Sequence, residues 1–167
     1  MRKLLRRAAI VTTAGVLTIL AAATPAMADI AYTSGNPARS VVIHITNDTG
    51  CDFNWSSEHL YGGMFFNDPQ LQGPMNGSTG PASVVVSSES NGYFTGTQAD
   101  VTYTKALWCQ EGSPGWNGGP YTFKFAWNNP YVGSNSYSTA GTTSNLHVTR
   151  TGGSGNNATV YITLTLA

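Results

Sequence analysis

The 167-residue sequence predicts an all-β protein, a single antiparallel sandwich of about eight strands. Three observations carry this. Apolar and polar residues alternate with period two in segment after segment. Gly, Pro, Asn and Ser cluster between those segments at short intervals. No stretch beyond residue 28 shows sustained helical periodicity.

The elements follow in order. "SVVIHITN" sets Val41, Ile43 and Ile45 on one face and Val42, His44 and Thr46 on the other. "NDTG" turns the chain. "CDFNW" alternates again, with Cys51, Phe53 and Trp55 together. "LYGGMFF" reads as a strand broken at Gly62-Gly63, as at a bulge. "NDPQLQGPMNGSTGP" reads as loop, because its prolines and glycines suit neither helix nor ladder. "ASVVVSSE" and "ADVTYTKALW" are strands separated by a turn at "SNG". "CQEGSPGWNGGP" is a second long loop and carries Trp116. "YTFKFAW" places Tyr121, Phe123, Phe125 and Trp127 on one face. "SNLHVTR", the turn "TGGSGNNA" and "TVYITLTL" complete the pattern. A sandwich needs one apolar face per strand, and these segments supply it.

Residues 1–28 read as a secretory signal. Arg2, Lys3, Arg6 and Arg7 precede an uncharged apolar run that ends at Ala26-Met27-Ala28, the small-x-small pattern before a cleavage site. Arg6-Arg7 lacks the wider twin-arginine consensus, so the general export route is expected. Residues 29–40 form an N-terminal lead and 41–167 the sandwich. The exported chain then keeps four of the eight cations (Arg39, Lys105, Lys124, Arg150) against all eight acids, a net charge of −4. Four scattered cations make no phosphate-binding patch, so nucleic acid is not an expected partner. Cys51 and Cys109 both fall in the exported part. One disulfide closing a 58-residue loop is the expected state, with free thiols or a metal site as the alternative.

Signs of catalysis are few. His44 and His147 sit within strand patterns, and Glu58 and His59 are sequence neighbours that point apart on a strand. No nucleophile elbow, zinc-protease helix, phosphate loop or calcium loop occurs. Glu58, Glu89, Asp100 and Glu111 could pair in space only if the fold gathers them. No enzyme activity, cofactor or metal is expected. Aromatic residues on turn-rich chain are more informative. Trp116, Tyr131 and Tyr137 lie where loops run over a surface, and Trp127 ends the aromatic strand. Trp and Tyr rings suit a lipid headgroup zone or the face of a sugar ring.

Three tracts, "SSESNGYFTGTQADVTYT", "FKFAWNNPYVGSNSYS" and "TRTGGSGNNATVYITLT", occur in this order. They resemble the aegerolysin superfamily, most nearly the small component of Bacillus binary insecticidal crystal proteins. The likeness spans about Val41 to the end. It implies a β-sandwich that docks on the lipid of a target membrane; because one copy buries only a few rings, self-association or a partner is expected for firm attachment. It also implies action beside a larger pore-forming partner protein. On that resemblance Trp127 and Tyr131 are the lipid-binding positions, with Trp116 and Tyr137 as further candidates. Tyr93 and Phe94 fall in a matching tract and are expected to pack rather than contact lipid. Pro130 and Gly133 would shape the loop, and Asn129, Ser134 and Asn135 would hold its turn through side-chain to backbone hydrogen bonds. The sequence departs from the pattern at Asn128, at the two cysteines and in having an export signal. The rival reading is a secreted carbohydrate-binding or other non-catalytic ligand-binding module. A third is a secreted structural or inhibitory protein.

Overall fold

The computed structural model describes residues 37–166, so the expected signal at 1–28 and most of the expected lead at 29–40 lie outside the described residues. Among the described residues there are ten strands: β1 (Ser40–Asn47), β2 (Cys51–Gly62), β3 (Met64–Asn67), β4 (Met75–Asn76), β5 (Ala82–Glu89), β6 (Thr97–Cys109), β7 (Thr122–Asn129), β8 (Ser136–Ser138), β9 (Leu146–Gly152) and β10 (Asn157–Leu166). They form two five-stranded sheets, ordered β3-β5-β1-β10-β9 and β4-β2-β6-β7-β8. All pairings are antiparallel except β1 with β10, which run parallel. Among the described residues no helix is long and apolar enough to cross a membrane.

The expected count of eight strands becomes ten for physical reasons. "CDFNW" and "LYG" belong to one long strand, β2. At Gly63, whose φ of +88° suits glycine, the chain leaves one sheet for the other and starts β3. The two-residue β4 and three-residue β8 are edge strands too short to show alternation. Gly62 does border a register irregularity in the β2–β6 pairing, as a bulge there requires.

The core is the interface between the sheets. Val41, Ile43, Ile45, Val86, Val160, Ile162 and Leu164 meet Phe53, Val101, Tyr103, Phe123 and Phe125, all fully buried or nearly so. Rings form a ladder along the inner face: Tyr103 to Phe123, Phe123 to Phe125 and Phe125 to Trp127, with centroids 6.4, 6.4 and 6.2 Å apart. Cys51 and Cys109 face each other across β2 and β6 and are disulfide-bonded, closing the 58-residue separation.

The strand directions define two ends. Ser40, Gly62, Glu89, Thr97, Asn129 and Gly152 lie at one, the Ser40 end. The cystine, Asn47 and Leu166 lie at the other.

Candidate functional site: the ring-bearing loop end

All three sequence tracts that are distant along the chain supply a loop to the Ser40 end. These are residues 90–96 between β5 and β6, 130–135 between β7 and β8, and 153–156 between β9 and β10. Arg39, just before β1, joins them. Its backbone N–H donates to Ser90 Oγ at 3.2 Å, and its guanidinium donates to the Tyr131 carbonyl and lies 5.4 Å from the Tyr131 ring centre.

Side-chain amides hold the loops to one another. Asn129 is buried, and its Nδ2 donates to the Ser40 carbonyl (3.0 Å) and the Asn156 carbonyl (2.7 Å). Asn135 Nδ2 donates to the carbonyls of Gly153 (3.0 Å) and Gly155 (2.9 Å). The sequence expectation was that these residues hold their own turn. Instead they bridge the β7–β8 loop to β1 and the β9–β10 turn, a pairing between chain segments that local spacing cannot reveal. Pro130 is where the 90–96 loop docks. A side chain at Gly96 would meet Pro130 Cα at 2.8 Å, so only glycine permits this approach. Gly133 has φ +112°, as a loop-shaping glycine should.

The most exposed rings at this end are not the two the resemblance favoured, although one of those, Tyr131, lies beside them. Trp127 is only 2% exposed; its Nε1 donates to Ser88 Oγ at 2.7 Å and its ring packs against Phe125 and Phe65. It is core, and its expected place at the surface is corrected. The reason is the period of β7, which keeps Trp127 in phase with Phe123 and Phe125. Tyr131 is half-buried, edge-on to Phe94 with centroids 5.0 Å apart. Tyr137 is also half-buried. It stacks on Phe125, donates to the Gly153 carbonyl at 2.8 Å and lies beneath Arg150. Burial pushes its phenol pKa up, partly offset by Asn135 and Arg150. Trp116 belongs to the opposite end, in the loop whose Gly115 carbonyl accepts from Lys105 Nζ at 2.8 Å. There it sits half-exposed, with exposed Leu107 and Trp108 on the same end.

Tyr93 and Phe94, expected to pack, are 93% and 75% exposed, and Val132 is 82% exposed. Phe94 also has φ +60°, the left-handed region that an aromatic residue occupies at a cost. The tract "NGYFTG" held the available signal: two adjacent rings in a segment built to turn, where the chain runs over the surface, are hard to bury together. Two clefts flank the rings. One, of about 380 Å³, includes Gly62, Phe94, Gln98, Asn128 and Tyr131 in its lining; the other, of about 350 Å³, is polar and lies among Arg39, Ser134, Asn135, Ser154 and Asn156.

The four acids considered for paired chemistry do not gather. Glu89 lies buried at the Ser40 end of β5, Asp100 on the outer face of β6, and Glu111 in the loop after the cystine. Glu58 accepts from Trp55 Nε1 at 3.2 Å. Desolvation, then the charge of Asp68, pushes its carboxyl pKa up.

The molecule is therefore a two-sheet β-sandwich presenting exposed rings from loops clamped at one end. No protein-family model matches the chain, and no curated protein matches it in sequence. Solved structures do share the fold. RahU, whose crystal structure contains a TRIS molecule, aligns with a TM-score of 0.55 at 13% identity, over 79% of this chain and 98% of that one. The lipid-binding protein Nakanori aligns with a TM-score of 0.54, also at 13% identity, over 77% of this chain and 72% of that one. At 13% identity these alignments show a shared fold and no more.

Proposed function

We propose that the protein is a secreted, non-catalytic lipid-binding protein that docks on membranes through its Ser40 end. The observation that carries this reading is the solvent exposure of Tyr93, Phe94 and Val132 on loops that are otherwise bound tightly together. Apolar side chains grouped in solvent in this way mark an interaction surface. The lipid-binding function stated for Nakanori, which shares the fold, supports the same reading.

Rigid presentation matters energetically. Full transfer of one Phe from water contributes about 1.5–3 kcal/mol, and a Tyr or Val adds less at an interface. Together they reach about 3–5 kcal/mol, near the millimolar scale for one molecule. Firm attachment then needs several copies or a partner. That requirement agrees with the tract resemblance, which adds the finer reading: an aegerolysin-type component of a pore-forming or insecticidal system, acting with a larger protein. Export through residues 1–28 suits the same role.

The test is vesicle sedimentation of the mature chain over phosphatidylcholine, phosphatidylglycerol and sphingomyelin–cholesterol membranes. Wild type should sediment with at least one, and Phe94→Asp should lose that binding while remaining folded. If wild type sediments with none, or if Phe94→Asp binds equally well, the docking reading fails. Calcein release with and without proteins encoded beside this one tests the pore-forming reading.

A further inference from the structure

A second surface lies on the outer face of the β4-β2-β6-β7-β8 sheet. The strand registers build it in two rows. In one row His59, Asp100, Ala126 and Ser138 are successive neighbours; in the next, Gln98, Asn128 and Ser136 are. Buried Phe125 and Trp127 alternate with Ala126 and Asn128 along β7, so the latter two face outward. Ala126, Ser136 and Ser138 are small side chains in this array, and a hollow lies over them. The resulting cavity of about 230 Å³ has Tyr61, Gln98, Ala126, Asn128, Ser136 and Ser138 in its lining.

Tyr61 gives this hollow its character. Its side chain is 63% exposed, yet it is not loose. Its hydroxyl donates to Asp100 Oδ2 at 2.8 Å. Asp100 is only 3% exposed and is gripped in turn by His59 Nδ1 at 3.3 Å and Lys124 Nζ at 3.5 Å. The His59 ring lies near-parallel to that of Tyr61, 6.2 Å away. An exposed aromatic ring is thus tethered through a buried carboxylate, beside two carboxamides and two hydroxyls.

We propose that this hollow binds a neutral pyranose ring. A pyranose has one face of C–H groups, which packs on an aromatic ring, and an equator of hydroxyls that both donate and accept. Gln98 and Asn128 each offer a donor and an acceptor, and Ser136 and Ser138 can serve as either. An anion is a poor fit, because the nearby cation, Lys124, is already paired with Asp100. An aliphatic ligand would leave the carboxamides unpaired. The volume lies below the usual range for larger ligands, about 300–1,000 Å³, and suits one sugar ring. Gln98 and Asn128 also line the cleft behind Phe94, so the hollow adjoins the ring-bearing end. The sugar could therefore come from a free glycan or from a glycolipid headgroup. The assignment itself does not depend on lipid docking.

Saturation-transfer NMR of the mature chain against glucose, galactose, mannose, N-acetylglucosamine and their short oligomers tests it, with adenosine as a stacking control. One stacked ring should give saturable binding at about the millimolar level. Ala126→Leu, which fills the hollow from an outward-facing position, and Tyr61→Ala should each weaken binding at least tenfold. Phe94→Asp should leave it unchanged, which separates this site from membrane docking. Vesicles with and without glucosylceramide distinguish the glycolipid source from the free one. No saturable binding to any of these sugars, binding of adenosine alone, or sugar binding indifferent to Ala126→Leu would each overturn the proposal.

Discussion

Replacing Trp127 with Phe separates two roles a tryptophan at this position could have. The indole is 2% exposed, packs on Phe125 and Phe65, and donates to Ser88 Oγ at 2.7 Å. Phe keeps the stacking partner but removes the donor and the second ring. A lost hydrogen bond costs about 1 kcal/mol here, at the modest end, because Ser88 Oγ retains Thr97 Oγ1 at 2.7 Å. The void left behind is about 40 Å³, and at about 24 cal/mol per Å³ it adds about 1 kcal/mol. The expected loss is therefore about 2 kcal/mol, a fall of about 1 M in the urea midpoint followed by circular dichroism. Vesicle sedimentation at a temperature where both proteins are folded should be unchanged. A Trp127→Phe protein with wild-type stability and no lipid binding would refute the placement of this residue in the core and restore it as a contact.

Three further outcomes follow from the same geometry. Phe94→Gly removes an exposed ring and relieves a left-handed backbone, so urea stability should hold or rise by about 1 kcal/mol while vesicle binding falls. Asn129→Asp sets a carboxylate against the Ser40 and Asn156 carbonyls in a buried site; a loss of about 3 kcal/mol is expected, with faster amide exchange in residues 153–156. Burial by itself would raise the Asp100 pKa, but the Tyr61 hydroxyl, His59 and Lys124 outweigh it and hold the carboxyl below its ordinary 3.8. A depressed folded-state pKa stabilises at pH values above 3.8, and that contribution is lost as pH falls through the folded value. Asp100→Asn should therefore cost about 1–2 kcal/mol at pH 7, and the gap to wild type should close below pH 3.8 in urea titrations.

Much of the architecture was legible in the chain because period-two alternation is a local property. Val41, Ile43 and Ile45 face inward as read, as do Phe53, Phe123, Phe125, Val160, Ile162 and Leu164. The cystine was reachable from compartment and count. Strand alternation also held the information that Trp127 is core, since it shares a face with Phe125. The resemblance pulled it toward the surface, and β7 kept it inside. The exchange of Trp127 for Tyr93 and Phe94 as the prominent rings shows where tract likeness is weaker than register.

By itself the sequence determined the fold class, the inward faces, the disulfide partners and the presence of aromatic residues on turning chain. Those depend on neighbours a few residues apart, or on a choice with one answer. Only the tertiary structure decided which loops share an end, which rings remain in solvent and which outward side chains form the hollow over Ala126. These are relations between segments 30 to 117 residues apart, as between Gln98 and Asn128 or Ser40 and Asn157. They are set by how strands pair across and between sheets, and no periodicity within one segment encodes them.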